Sequence, residues 1–384
     1  MRILLICEAF GSIGGVQEVV DNLAAELSAA GQQVAIVSSP ESGARTRTIR
    51  FGGECRYMEI PSRRPLTLRH LERLWPQSVS SQMRQFSAAI AALRPDVVSS
   101  HCWSWDRFPA VAAGCRRAGV ALVHSLFDSW GRGKMGAAAL RSLRGAAAIV
   151  ALSEATRRFF EPILPGARAA RVITGGVDPG GPQSAGARLH PRPYIFCAAR
   201  LDRRHKAIDA LIAGFALIAR GASEVDLLIG GDGPDRGALE ALANAAGVGN
   251  RVRFTGAVSR SELWTLYQHA LLFAMPSRMP EGLGLVFLES MACGVPVIGT
   301  RSGGTTEIVD DGGTGILIDN NSPQELASAM RRMLDDPAAR AAMGQRARAA
   351  VLSRFTWNRF AQQYLEVYSS CTRGNRELES SIEP

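Results

Sequence analysis

Short apolar runs alternate with segments of helical periodicity along the first half of the chain. After the apolar run at 3–6, residues 16–27 place apolar side chains at helical spacing and stop before Gly31. Further apolar runs predict strands at 34–37, 97–99, 120–123, 148–152 and 172–173. Because these runs are almost continuously apolar, they indicate strands that are buried on both faces of a parallel sheet. Residues 45–76 are less regular and rich in arginine.

The same alternation restarts after a segment rich in Gly, Pro and Ser at 175–192. Helices are predicted at 207–219 and 236–246, and strands at 194–198, 225–229, 251–254, 271–275, 295–299 and 315–318. We therefore expect an α/β protein with two Rossmann-like, doubly wound parallel-sheet domains and a ligand cleft between them. The expected boundaries are 1–178 for the first domain, 179–192 for the linker, 193–354 for the second domain and 355–384 for a C-terminal segment.

Composition narrows the class of protein. The 384 residues contain seven scattered cysteines without metal-binding spacing, which favours a reducing cytosol over a disulfide framework. No apolar run is long enough to span a membrane. The net charge is +9, and residues 1–185 hold nearly all of it, with 22 Lys and Arg against 14 Asp and Glu. This asymmetry fits a surface that meets anionic lipid, a phosphorylated acceptor or nucleic acid, and equally a solvated arginine-rich surface.

Two loops that follow predicted strands could bind an anion. Glycines at 11, 14 and 15 lie between a strand and a helix, where backbone can approach a ligand, although a tight turn explains them as well. Arg200 and Lys206 lie six residues apart in a strand-to-helix loop. Two cations there could neutralise a departing diphosphate without a metal ion; the alternative is a basic surface loop. The glycines at 230, 231 and 233 indicate a sharp turn.

The segment 280–296 carries the most specific pattern. Gly282 and Gly284 are predicted to open a helix that Gly294 ends. Glu281 precedes this helix and Glu289 lies eight residues later, roughly 12 Å along a continuous helix. Carboxylates at that separation suit the two ends of an elongated ligand, although each glutamate alone would be an ordinary solvated charge.

Residues 281–319, EGLGLVFLESMACGVPVIGTRSGGTTEIVDDGGTGILID, closely resemble the signature of the family four (group 1) glycosyltransferases, which adopt the GT-B fold. RLDRRHK at 200–206, IGGDGP at 229–234, VRFTGAV at 251–257 and SIGGVQEVV near the N-terminus extend the resemblance to the whole chain. Ala199 and Ala207 depart from the family, which commonly has glycine at both positions.

The resemblance implies a set of site residues. Arg200 and Lys206 would bind the donor diphosphate, Glu281 the hydroxyls of the donor sugar, and Glu289 the ribose. The same resemblance places the backbone of Gly282, Leu283, Gly284 and Leu285 against sugar and phosphate, Gly14 and Gly15 near the diphosphate or acceptor, and His124 near the sugar, with His101 in a second histidine position and a C-terminal helix on the first domain. The implied catalytic residues are Glu281, His124, Arg200 and Lys206. Without the resemblance, His124 would be interpreted as a core histidine.

The implied activity is retaining transfer of a hexose from a UDP- or GDP-sugar to a glycan acceptor, without a cofactor. The chain has no Asp-x-Asp, which fits metal-free diphosphate binding. The basic region at 45–73, with Arg132, Lys134, Arg141 and Arg144, suggests a lipid-linked acceptor and peripheral contact with the cytoplasmic leaflet.

Three alternatives stay open: a soluble acceptor, another sugar-nucleotide enzyme of the same fold, and a nucleic-acid-binding protein. The low aromatic content argues against nucleic acid. A phosphorylase needs a cofactor lysine, and Lys206 is the only lysine of the second half.

Overall fold

The structure is a computed structural model of the 384-residue chain. It describes residues 1–8, 15–39, 56–59, 87, 89–101, 105, 108–127, 135–164, 170–178 and 187–380. Gly11 and Gly14, the cations Arg132 and Lys134, most of the basic region at 45–73 and the linker residues 179–186 lie outside this part of the chain. The contacts divide the molecule into two compact units, residues 1–175 with 357–384 and residues 176–356.

The first unit is built on a parallel sheet of seven described strands in the order β3-β2-β1-β4-β5-β6-β7. These are Arg2–Glu8 (β1), Gln33–Ser39 (β2), Arg56–Glu59 (β3), Val97–His101 (β4), Ala121–Leu126 (β5), Ala148–Ala151 (β6) and Arg171–Val172 (β7). Its helices include Gly15–Ala29 (α1), Phe108–Ala118 (α2), Ala137–Arg144 (α3) and Glu154–Phe160 (α4). The apolar runs predicted as strands are strands, and they supply the core. Strand β3 was not predicted, because its sequence, RYME, is too polar to form an apolar run.

The second unit has six described strands, also all parallel, in the order β10-β9-β8-β11-β12-β13. They are Tyr194–Ala198 (β8), Asp226–Gly230 (β9), Val252–Gly256 (β10), Leu272–Met275 (β11), Val297–Thr300 (β12) and Gly315–Ile318 (β13). The helices are Ile208–Ile218 (α5), Arg236–Ala245 (α6), Arg260–His269 (α7), Leu285–Ala292 (α8), Thr305–Ile308 (α9), Pro323–Asp335 (α10) and Pro337–Arg354 (α11). The predicted doubly wound α/β architecture is confirmed for both sheets.

A last helix, Trp357–Ser380 (α12), belongs to the first unit. Tyr364 is fully buried, and its hydroxyl lies 2.9 Å from the hydroxyl of Ser125 on β5. This contact explains why the C-terminal segment is part of the first unit although 181 residues of the second unit precede it in the chain.

Strand order determines which loops of the second unit are neighbours. Strand β8 lies between β9 and β11, and the order of the sheet reverses at β8 and β11. In open parallel sheets, ligands bind outside the carboxyl ends of the strands at such a reversal. The loops that follow β8, β11 and β12 contain Arg200, Lys206, Glu281 and the glycines at 303 and 304, so the topology brings the predicted segments to one edge of this sheet.

Candidate active site

The loop after β8 is folded around the buried carboxylate of Asp202. This carboxylate accepts a hydrogen bond from the backbone N–H of Arg204 at 3.1 Å and from its guanidinium at 3.0 and 2.9 Å, and Nδ1 of His205 lies 3.1 Å away. The hydrogen bonds from Arg204 lower the pKa of Asp202 well below its usual value. The carbonyl of Asp202 accepts from the N–H of Lys206 at 2.9 Å, so the same turn fixes the backbone position of Lys206.

The glycine-rich turn after β9 supports this loop by close backbone contact. A Cβ atom on Gly231, whose φ is +118°, would lie 2.1 Å from the carbonyl oxygen of Ala199, and one on Gly233 would lie 2.4 Å from that of Leu201. The N–H of Leu201 donates to the carbonyl of Asp232 at 3.0 Å. Only glycine allows such an approach, so the IGGDGP motif packs directly against the loop at 199–206, which we call the cation loop.

The structure brings together Lys206 and Glu281, which are 75 residues apart in sequence. The Nζ of Lys206 lies 2.5 Å from Oε1 of Glu281, and the side chains are only 18% and 16% exposed. The hydroxyl of Ser277 donates a hydrogen bond to the same oxygen. The site therefore holds a half-buried ion pair at the carboxyl edge of the sheet, between the loops after β8 and β11.

Arg200 and Arg278 differ in their contacts: Arg200 is exposed without an ion-pair partner among the described residues, whereas Arg278 is bound to other residues of the protein. Arg278 binds both carboxylate oxygens of Asp209 at 2.8 and 2.9 Å and the carbonyls of Arg203 and Lys206 at 2.9 and 3.2 Å. Sequence reasoning missed Arg278, which fastens the cation loop. Its partners are 69 to 75 residues away, so no local pattern marks it.

The loop that carries Glu281 lies against the glycine pair after β12. The N–H of Gly304 donates to the carbonyl of Glu281 at 2.8 Å. A Cβ atom on Gly303 would lie 2.2 Å from that carbonyl oxygen, and one on Gly304 would lie 2.4 Å from the carbonyl oxygen of Gly282. Both glycines are therefore needed for the backbone of the EGLG segment to reach this position.

The predicted start of the helix at Gly282 is wrong. Helix α8 begins at Leu285, because Gly284 has a left-handed conformation with φ +87°, which a right-handed helix does not accommodate. The end of the helix is as predicted, with Gly294 in the left-handed conformation just beyond it. Glu281 and Glu289 therefore do not share a continuous helix, and the roughly 12 Å spacing expected along one axis does not apply. Leu283 is buried, and Gly282, Gly284 and Leu285 are partly exposed.

Glu289 binds to other side chains of the protein. It is 3% exposed; its Oε1 accepts from Nη1 of Arg260 at 2.5 Å and its Oε2 from the hydroxyl of Tyr267 at 2.9 Å. The guanidinium of Arg260 also lies over the ring of Trp264, 5.2 Å from its centroid. Both partners of Glu289, and Trp264, are on α7, and sequence reasoning identified none of the three.

The two predicted histidines lie inside the first unit. His124 is fully buried on β5, 4.0 Å from the ring of Phe108, and its ring nitrogens have no hydrogen-bond partner among the described residues. Burial lowers the pKa of His124 to about 3, so the ring is neutral at ordinary pH. His101 is also fully buried, with Nε2 3.1 Å from the hydroxyl of Ser99, and burial lowers its pKa to about 3 as well. Gly15 opens helix α1, and Gly14 is not among the described residues.

Within the described ranges, no three His, Cys, Asp or Glu side chains are grouped so as to hold a metal ion. None of the helices described is both long and apolar enough to cross a membrane.

Two parallel sheets with flanking helices define a two-domain, Rossmann-like α/β protein. The solved structure of sucrose-phosphate synthase from Thermosynechococcus elongatus has the same fold, with a TM-score of 0.84 at 24% identity over 97% of this chain and 99% of that one. The model of the glycosyl transferases group 1 matches residues 184–350, and that of glycosyltransferase family 4 matches residues 13–180.

Curated relatives agree with the family models. A GDP-mannose-dependent alpha-(1-6)-phosphatidylinositol monomannoside mannosyltransferase of Mycolicibacterium smegmatis is 34% identical over 281 residues, 69% of this chain and 72% of the relative. A D-inositol 3-phosphate glycosyltransferase of Catenulispora acidiphila is 32% identical over 320 residues, 73% of each chain. The chain belongs to the group 1, family 4 glycosyltransferases, which confirms the resemblance drawn from its motifs.

Proposed function

We propose that this glycosyltransferase moves a hexose from a nucleoside-diphosphate sugar to a lipid-linked glycan acceptor, with retention of anomeric configuration and without a metal ion. The observation that carries the proposal is the pairing of Lys206 with Glu281 on adjacent loops, beside the exposed Arg200. A cation and a carboxylate in contact suit a ligand in which a phosphate is joined directly to a hydroxyl-bearing sugar.

Lys206 and Arg200 are proposed to bind the donor diphosphate. An ammonium group has three N–H donors, so Lys206 can keep its bond to Glu281 and still donate to a phosphate oxygen. Positive charge at this position would stabilise the nucleoside diphosphate as it departs. Glu281 would accept hydrogen bonds from sugar hydroxyls, with the backbone from Gly282 to Leu285 beside it.

Glu289 is proposed to contact the ribose, as the family resemblance implies. Both of its oxygens already accept one hydrogen bond, but each carboxylate oxygen has a second lone pair. Arg260 and Tyr267 would then hold the carboxylate in one orientation while it accepts from the ribose. The role of His124 stays a prediction; the kinetics of His124→Ala, compared with its thermal stability, test it.

Retention is proposed to proceed by front-face attack of the acceptor hydroxyl, assisted by the departing phosphate. No residue of this chain is nominated as a covalent nucleophile. The anomeric configuration of the product, determined by NMR from an α-linked donor, tests this part. A β-linked product would contradict retention.

The acceptor is proposed to be a glycolipid, and the proposal draws on the name of the mycobacterial relative, which acts on a phosphatidylinositol mannoside. Arg141 and Arg144 are exposed at the end of α3 and suit contact with anionic lipid. The second relative acts on inositol 3-phosphate, which favours a small phosphorylated cyclitol as the second candidate. Activity on vesicle-borne phosphatidylinositol mannoside but not on inositol 3-phosphate would support the first; the reverse would support the second.

The donor is tested with GDP-mannose, UDP-glucose and UDP-N-acetylglucosamine and with their parent diphosphates. One nucleotide should raise the Tm of the protein, since a ligand that binds the folded state stabilises it, and its sugar should be transferred in the presence of EDTA. Failure of all of them to bind would contradict the proposed donor class. Activity that EDTA abolishes and Mg²⁺ restores would contradict metal independence.

A further inference from the structure

The buried hydroxyl of Ser277 touches the carboxylate that is proposed to bind the donor sugar. We infer that Ser277 is a positioning residue, which fixes Oε1 of Glu281 and leaves Oε2 to accept from a sugar hydroxyl. The inference deepens the proposed function and rests on it.

The two oxygens of Glu281 are in different environments. Oε1 is bound by both the ammonium of Lys206 and the hydroxyl of Ser277. Oε2 accepts no hydrogen bond from any residue in the described part of the chain, and the side chain of Glu281 is 16% exposed to solvent. An incoming hydroxyl therefore finds Oε2 as the acceptor without a competing bond. The orientation of the carboxylate, and hence the position of Oε2, depends on the two donors at Oε1.

The backbone of Ser277 is itself fixed by a ring of hydrogen bonds. Its N–H donates to Oγ1 of Thr300 at 2.9 Å, Thr300 donates to Oδ1 of Asn321 at 2.7 Å, and Nδ2 of Asn321 donates to the carbonyl of Ser277 at 3.1 Å. These residues follow β11 or lie at or just beyond the ends of β12 and β13, three neighbouring strands. Ser277 is 2% exposed, so no solvent competes for its hydroxyl. Ser277 therefore provides a rigid support for Glu281.

Ser277 has a function that Lys206 cannot provide alone. When a diphosphate binds, it attracts the ammonium of Lys206, and a carboxylate held only by that ammonium would follow it. The Ser277 hydroxyl has one proton, which it donates to Glu281, and it carries no charge that a phosphate could attract. It therefore holds Glu281 in place while Lys206 interacts with the phosphates.

The test is a double-mutant cycle measured by calorimetric titration of the full chain. The probes are GDP-mannose with GDP, and UDP-glucose and UDP-N-acetylglucosamine with UDP. Ser277→Ala should raise the Kd of the sugar nucleotide about tenfold, the lower end of the value of one hydrogen bond to a charged group, because Lys206 still holds Glu281. The Kd of the parent diphosphate should change less than about twofold. In a Glu281→Ala background, Ser277→Ala should have no effect on either, because the side chain through which it acts is gone.

Ser290→Ala is the matched control. Ser290 is equally buried in the same unit, and its hydroxyl donates to the carbonyl of Val295 at 3.4 Å. This variant should bind both probes as the wild type does. Equal losses of sugar nucleotide and diphosphate in Ser277→Ala, or an undiminished effect in the Glu281→Ala background, would overturn the inference and leave a structural role. Absence of any binding by the wild type would instead contradict the proposed function.

Discussion

The exchange of Lys206 for methionine tests the site most directly, because it removes the charge and keeps most of the length of the side chain. In the structure this ammonium lies 2.5 Å from Oε1 of Glu281 with 18% of its side chain exposed. The variant therefore removes the proposed hydrogen bond from Lys206 to the diphosphate. It also leaves Ser277 as the one hydrogen-bond donor to the Glu281 carboxylate among the described residues. The first effect concerns the diphosphate of the bound sugar nucleotide, and the second concerns its sugar.

The magnitude follows from the value of a hydrogen bond to a charged group, about 1.5–3 kcal/mol. Loss of one hydrogen bond to the diphosphate should raise the Kd of the parent nucleoside diphosphate roughly 10- to 150-fold. The affinity for the sugar nucleotide should fall at least as much, because Glu281 also loses one of the two hydrogen bonds that orient its carboxylate. The pair is half-buried, so the free energy of unfolding of the second unit should fall by about 1–2 kcal/mol.

Calorimetric titration of each diphosphate and its sugar nucleotide measures these effects, and urea unfolding followed by circular dichroism measures the stability. Arg253→Met is the matched control: Arg253 is exposed on β10 and forms no ion pair with the residues described, so it removes the same charge from the same unit. If Lys206→Met binds both ligands as tightly as this control, the assignment of Lys206 to the donor is refuted. A loss confined to the sugar nucleotide would refute the diphosphate contact alone.

Substitutions of Glu289, Gly304 and Asp21, with their controls, test other parts of the structure. Glu289→Ala should lower the free energy of unfolding of the second unit by about 2–4 kcal/mol, because it leaves the Tyr267 hydroxyl buried without its acceptor, whereas Glu289→Gln keeps an acceptor and should cost less than half of that in urea unfolding. Gly304→Ala should displace the Glu281 loop and weaken sugar-nucleotide binding at least tenfold; Gly237→Ala, where a Cβ atom meets nothing within 4 Å, should leave binding unchanged and stabilise α6 by about 0.5–1 kcal/mol. Burial raises the pKa of Asp21 on α1 to about 6, so the folded protein holds this proton more tightly than the unfolded chain, and stability falls as the pH rises from about 4 to about 6. Asp21→Asn should therefore raise the free energy of unfolding by up to about 3 kcal/mol at pH 7.5 and leave it unchanged at pH 4, as thermal unfolding at the two pH values would show; an equal effect at both would contradict the pKa shift.

Much of the fold could be predicted because most of the parallel strands, which are buried on both faces, form nearly continuous apolar runs. The predicted bounds of β8 and β13 agree with the observed Tyr194–Ala198 and Gly315–Ile318. Strand β3 was not predicted because this four-residue edge strand has a charged residue at each end and therefore no such run. The predicted start of α8 was wrong because Gly284 has a left-handed conformation, which the local sequence pattern does not reveal.

The roles of the candidate site residues stay predictions, and the contacts that these residues make could be predicted only in part. Lys206 and Glu281 each stand in a loop after an apolar strand, and their motifs resemble those of the family that the comparisons confirm. That the two side chains bind each other depends on β8 and β11 being neighbours in the sheet. Ser277 and Tyr267 carry no motif that the sequence analysis recognised, and both were missed.

The amino-acid sequence by itself determined the α/β class, the glycosyltransferase family and which strand-to-helix loops carry the candidate residues, because hydrophobic periodicity and motif spacing are local properties of the chain. Only the tertiary structure decided that Glu289 binds Arg260 and Tyr267, that His124 is buried, and that one oxygen of Glu281 is already occupied. The physical reason is that strand order brings distant loops together, and the hydrogen-bond partners of a buried side chain are set by those neighbours.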